Sequence, residues 1–197
     1  ELLAAVNAPT AFSCRGFYRG LTLPPAPDPA PPPAADAQVA FPGDVILVKG
    51  VWQPGKTLFD FVDSLREGDV VLKGANALDL ARRQAAILIG HPRGGTILPA
   101  LQALIGRRTR LLLPVGVEKR VPGDLQTLAT RLNRPGAEGP RLLPVPGEVI
   151  TELDALAQLT GATAEIVAAG GVGGAEGAIW LAVSGTPEQE QAAAALL

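Results

Sequence analysis

The chain has one cysteine, Cys14, and one histidine, His91, in 197 residues. A lone thiol leaves no partner for an internal disulfide and excludes a cysteine-only zinc or iron–sulfur cluster within one chain. A lone histidine makes a histidine-rich metal site equally improbable, and no metal site is expected. Neither sign of charge dominates: 17 Lys and Arg against 19 Asp and Glu leave a net charge of -2. No global field therefore draws the chain to nucleic acid or to an anionic membrane surface, and a charged ligand must be recognised locally. No apolar run approaches the roughly 18 to 20 residues of a membrane span, and the first residues lack a basic start followed by an apolar core and a cleavage site. The expected location is cytoplasmic, with no membrane or nucleic-acid partner.

Aromatic residues are scarce, at 4% of the chain, yet Phe12, Phe17 and Tyr18 fall within residues 1–22. This segment is expected to pack on the main domain. Residues 23–42 read LPPAPDPAPPPAADAQVAFP, with eight prolines that cannot join a helix or an interior strand. They are read as an extended polyproline II tether, with docking on a protein partner as the competing reading.

From residue 43 onward, short runs of Val, Ile and Leu alternate with helical patterns, punctuated by Gly, Pro and Asp. Strands are expected over 45–49, 70–73, 85–89 and 110–115, and helices over 57–65, 97–105 and 124–132. The apolar runs are continuous rather than alternating, as when helices cover both faces of a parallel sheet. The expected fold class is α/β, with a mostly parallel, doubly wound sheet in residues 43–135 and a small α+β portion in 136–197 completing the same unit. That portion is read as a strand at 141–145, a helix at 150–159, strands at 164–168 and 178–183, and a helix from 187. GGVGGAEG, 170–177, looks like a phosphate cradle on paper but joins strand to strand, so a hairpin connection competes with that reading.

Three segments place polar residues just beyond expected parallel strands, where open α/β sheets bind ligands. In VVLKGANALD, Lys73 would pair with phosphate or carboxylate and Gly74 would allow close backbone approach. Asn76 would cap a following helix or bind ligand, and Asp79 is a candidate base. In AAILIGHPRGGTI, the loop of His91, Pro92, Arg93, Gly94, Gly95 and Thr96 opens an amphipathic helix. Free N–H groups, glycines, a hydroxyl and a guanidinium make it a candidate anion site, against a reading in which Thr96 simply caps the helix. His91 is a candidate acid or base. In LLLPVGVEKRVPGD, Glu118 and Lys119 are either a surface pair or a catalytic carboxylate with its binding partner. Glu118 or Glu176 would serve where a carboxylate nucleophile is needed.

KGANALD from Lys73 and PVGVEKRVPGDLQTLATRL from Pro114 resemble, in order and in the intervening strand, two landmarks of the LUD domain of lactate-utilization proteins. The resemblance spans roughly residues 68 to 133 and rests on Gly74, Ala75, Asn76, Glu118 and Lys119. Where that family carries an acidic residue and a Thr-Gly-Thr-like turn close after its Asn element, this chain has LARRQ after Asp79. The resemblance implies the superfamily of ribose-phosphate isomerase, glucosamine-phosphate deaminase and the CoA-transferases, with the ligand at the strand ends. Two functions follow as expectations. One is binding of a small phosphorylated or carboxylated metabolite, with isomerase or transferase chemistry as an option. The other is a non-catalytic accessory subunit of a lactate-utilization-like oxidoreductase, or a homo-oligomer. No cofactor fingerprint is complete, so none is assigned.

Overall fold

The computed structural model describes residues 44–196; the expected tether 23–42 and aromatic segment 1–22 lie outside them. The described chain is a mixed α/β arrangement of five helices with a short 3-10 turn and several small sheets. It opens with a hairpin of β1 (Leu47–Val48) and β2 (Val51–Trp52), where a single strand was expected. Lys49 and Gly50 break the run by adopting positive φ, 50° and 79°, the backbone of a tight hairpin turn. Helix α1 (Leu58–Phe61) follows and is shorter than its pattern suggests.

Parallel pairing among the strands joins β3 (Val70–Leu72), β6 (Arg110–Pro114) and β8 (Glu148–Ile150), in the order β3-β6-β8. A second sheet is antiparallel, with β4 (Ala77–Asp79), β5 (Gln84–Ile89) and β7 (Arg141–Val145) in the order β4-β5-β7. The expectation that 70–73, 85–89 and 110–115 share one parallel sheet is corrected here, because β5 pairs antiparallel on both sides. The continuous apolar run of β5 has another cause. Ala85 and Ile87 face the main core with Leu78, Ile97, Leu111 and Leu113, while Ala86 and Leu88 face Leu125 and Ala129 of α3 (Leu125–Leu132). Burial on both faces makes a strand continuously apolar whichever direction its neighbours run. At β3 the same signal overstates coverage, since Val70 and Leu72 are 48% and 52% exposed.

Helix α2 (Ile97–Arg107) packs Ile97, Ala100 and Ala103 inward and stops at Arg108, which takes the left-handed backbone and donates its N–H back to Leu104 O. Helix α3 starts at Asp124, whose carboxylate accepts the Thr127 N–H at 2.7 Å. Helix α4 (Glu152–Thr160) and helix α5 (Pro187–Ala194) pack on one face of an antiparallel hairpin, β9 (Thr163–Ala169) with β10 (Ile179–Ser184), around Leu156, Ala162, Leu181, Val183 and Ala193.

Gly147 lets β8 lie against β6: a methyl group there would sit 2.8 Å from Leu113 Cγ and 3.0 Å from the Leu111 carbonyl oxygen, with Leu113 wholly buried. A Cβ at Gly74 meets nothing within 4 Å. Gly147→Ala is therefore expected to cost about 1 to 3 kcal/mol through overpacking, whereas Gly74→Ala leaves stability unchanged or slightly raised. Urea unfolding of the two variants tests the difference, and equal midpoints would show that β8 has room to retreat.

Candidate functional site

Lys73 and the loop after β6 lie at one edge, because β3 and β6 are adjacent and parallel and both end there. The Lys73 N–H donates to Leu112 O at 3.0 Å and its side chain is half-buried. Gly74 is exposed, and no protein atom crowds it. Asn76 caps no helix, since β4 follows it. Its N–H donates to Ala86 O at 2.9 Å and its Oδ1 accepts the Leu88 N–H at 3.0 Å, so the amide side chain extends the β4–β5 ladder by one rung.

Asp79 sits at the opposite end of β4, only 6% exposed, in the turn to β5. Its Oδ1 accepts the Arg82 N–H at 3.0 Å and its Oδ2 accepts the Arg82 guanidinium at 2.8 Å. The guanidinium and the Arg82 N–H hold the Asp79 carboxyl below the usual carboxylate range. Both oxygens are thus engaged in closing a turn. The Asp79–Arg82 spacing, i to i+3, is the sequence signal for that role.

The turn of 91–96 follows β5, in the antiparallel sheet. The expectation that every candidate follows a strand of one parallel sheet therefore fails, and the candidate groups are divided between two sheets. His91 organises its own turn: Nδ1 accepts the Arg93 N–H at 3.1 Å and its carbonyl accepts the Gly94 N–H at 2.9 Å. The proton of the neutral ring then lies on Nε2. Gly94, at φ 78°, also makes room for Leu98, whose side chain would lie 2.6 Å from an added Cβ. Thr96 makes no side-chain cap and already has helical backbone, so the capping reading does not hold. Arg141, which pattern reading left out, donates from its guanidinium to Ile89 O and Gly90 O at the root of the turn.

Beyond β6 the chain makes a 3-10 turn, Val117–Lys119. The Glu118 carboxylate folds back over Gly116 so closely that a Cβ there would overlap it, and the Lys119 ammonium stands 3.9 Å away. Glu152 Oε2 accepts the Val117 N–H at 3.0 Å and steadies the turn from α4. Glu118 and Arg120 line a cleft of about 400 Å³ shared with Glu176 and the end of the β9–β10 hairpin. The 170–177 segment is a hairpin connection, closed by Gly170 N–H to Ala178 O at 2.8 Å, with Gly170, Gly173 and Gly174 at positive φ.

Among the described residues no group of three or more His, Cys, Asp or Glu is placed to hold a metal, and no helix is long and apolar enough to cross a membrane. Comparison with protein-family models, with curated proteins and with solved structures gives no significant match.

Because folding lowers the Asp79 pKa, the ionised carboxylate stabilises the native state above the unfolded-chain value near 4. That contribution disappears as pH falls through the folded-state value. Asp79→Asn is expected to unfold at a lower temperature than the parent near neutral pH, with the gap closing as pH falls below the ordinary carboxylate range. Thermal melts across this range check it, and a gap independent of pH would mean that the charge plays no part in the turn.

Proposed function

We propose that this chain binds a small anionic metabolite, phosphorylated or carboxylated, at the start of α2, with Arg93, Gly95 and Thr96 as the recognition groups. One observation carries the reading. Each of the other four described helices begins with a side-chain oxygen accepting a backbone N–H: Asp44 from Leu58, Asp124 from Thr127, Asp154 from Thr151 and Thr186 from Gln189. Helix α2, the longest of the five, has no such acceptor among the described residues and no acidic residue in its first turn. The Leu98 N–H donates to Gly95 O at 3.3 Å and Pro99 has none, so the positive end of the dipole and the N–H groups of Thr96 and Ile97 are left for an outside acceptor.

The surroundings suit an anion. Arg93 is exposed and makes no ion pair among the described residues, Arg141 adds a second guanidinium at Gly90, and a Cβ at Gly95 meets no atom within 4 Å. His91, with Nδ1 engaged, offers Nε2 for proton exchange at the rim of the turn. Any isomerase or transferase chemistry at this turn would draw on this histidine.

Calorimetric titration with inorganic phosphate, sugar phosphates, CoA esters and short carboxylates tests the reading. Arg93→Ala is expected to weaken binding at least tenfold, the loss of a charge-assisted contact of about 1.5 to 3 kcal/mol. Thr96→Asp should abolish binding while raising stability by about 0.3 to 1 kcal/mol, because it supplies the missing negative charge to the helix start. Absence of anion binding at millimolar concentration, or binding indifferent to both substitutions, overturns the proposal.

A further inference from the structure

The cleft beside the 3-10 turn is separate from the start of α2 and has a different chemistry. One wall is Glu118, Arg120, Val121 and Pro122; the other is Glu176 and the strand ends around Ala178 and Ile179. Its volume, about 400 Å³, lies within the range of small-molecule sites. Opposite charges line this space without neutralising one another. The Arg120 side chain makes no hydrogen bond and no ion pair among the described residues, although two carboxylates border the same cleft. Each carboxylate has its own local tie instead. Glu118 lies over Gly116 beside Lys119, and Glu176 Oε1 accepts the Gly174 N–H at 3.3 Å. The N–H groups of Glu176 itself and of Gly174 hold the Glu176 carboxyl below the usual range, so it remains an anion at neutral pH.

We propose that this cleft binds a free amino acid, its carboxylate on the Arg120 guanidinium and its ammonium group between Glu118 and Glu176. A planar guanidinium that spends no donor among the described residues matches a carboxylate through two parallel hydrogen bonds, and an ammonium needs acceptors, which the two glutamates supply. Val121, Pro122, Ala178 and Ile179 supply an apolar lining for the aliphatic part of the ligand. The charged lining comprises two carboxylates and one guanidinium. Amino acids with a second cationic group, such as lysine, therefore complement it better than aliphatic ones, and dicarboxylic amino acids are disfavoured. The hairpin connection that carries Glu176 is shaped for its position. Gly171 leaves no room for a side chain against Ala175, where an added Cβ would meet the carbonyl oxygen at 2.6 Å.

Titration of the full chain with lysine, alanine, glutamate, propylamine and propionate tests the site. The expected result is binding of lysine ahead of alanine, with propylamine and propionate each at least tenfold weaker because each keeps only one of the two charged groups. Arg120→Gln and Glu176→Gln, both at exposed side chains, should each weaken lysine binding at least tenfold with an unchanged melting temperature, whereas Arg93→Ala should leave it unaltered. Failure of both amino acids to bind at millimolar concentration, equal binding of propylamine and lysine, or indifference to Arg120→Gln overturns the proposal. Because inorganic phosphate reports on the α2 turn and lysine on this cleft, the two sites stand or fall separately.

Discussion

The loop from Val115 to Val121 is the joint on which the described structure turns. Three of its backbone N–H groups reach other elements and a fourth closes the loop on itself. Val115 donates to Ile150 O at the end of β8, Val117 to the Glu152 carboxylate on α4, Lys119 to Gly116 O within the loop, and Val121 to Leu78 O on β4. Buried backbone donors must be paired, and here the pairing joins the parallel sheet, the C-terminal helix layer and the antiparallel sheet. Val115 and Val117, 4% and 1% exposed, insert into the same core as Leu78, Leu111 and Leu113. The loop is thus held by hydrogen bonds and apolar packing together. Glu118 and Arg120 ride on a rigid support, as a binding site requires.

The helix termini divide into two kinds. At α1, α3, α4 and α5 the chain's own oxygens meet the first N–H groups, and short-range spacings such as Asp124 to Thr127 suffice to make the contact. At α2 the residues that would supply an acceptor are glycines, Thr96 with helical backbone, and apolar side chains, with Pro99 removing one further donor. Nearby side chains are cationic rather than anionic. A helix start left in this state is open to an acceptor from outside the chain, and that is the physical content of the anion-binding reading.

Asn76 and Asp79 show how residue type and residue role separate. Both stood among the candidate ligand groups because polar residues after a strand commonly face a ligand. In the fold each completes the β4–β5 hairpin, one as an added rung and one as a turn clamp with Arg82. Asn76 Oδ1 and Asp79 Oδ1 are spent on backbone N–H groups, and Asp79 Oδ2 on the Arg82 guanidinium. Arg120 is the reverse case. In the run Glu118, Lys119, Arg120 it looks like an ordinary surface charge, and only the return of the β9–β10 hairpin gives it a cleft to line.

What the sequence determined by itself was local: the mixed α/β character, strands expected at 70–73, 110–115 and 141–145 and found at 70–72, 110–114 and 141–145, helices expected at 97–105 and 124–132 and found at 97–107 and 125–132, and the late hairpin with its glycine-rich connection. Apolar period, capping residues and glycine placement act within a few residues, so they are legible without knowing the partners. Sheet direction was decided only by tertiary structure. A strand buried on both faces is continuously apolar whether its neighbours run parallel or antiparallel, so β5 carried no mark of the antiparallel sheet it joins. Strands β4 and β8 were not anticipated, because the polar residues around β4 read as a ligand loop and Ile150 of β8 read as the start of the following helix. Which charges share a space was decided at the same level. Glu118, Arg120 and Glu176 are more than fifty residues apart at the extremes, and only the packing of the hairpin end beside the 115–121 loop brings them to one cleft.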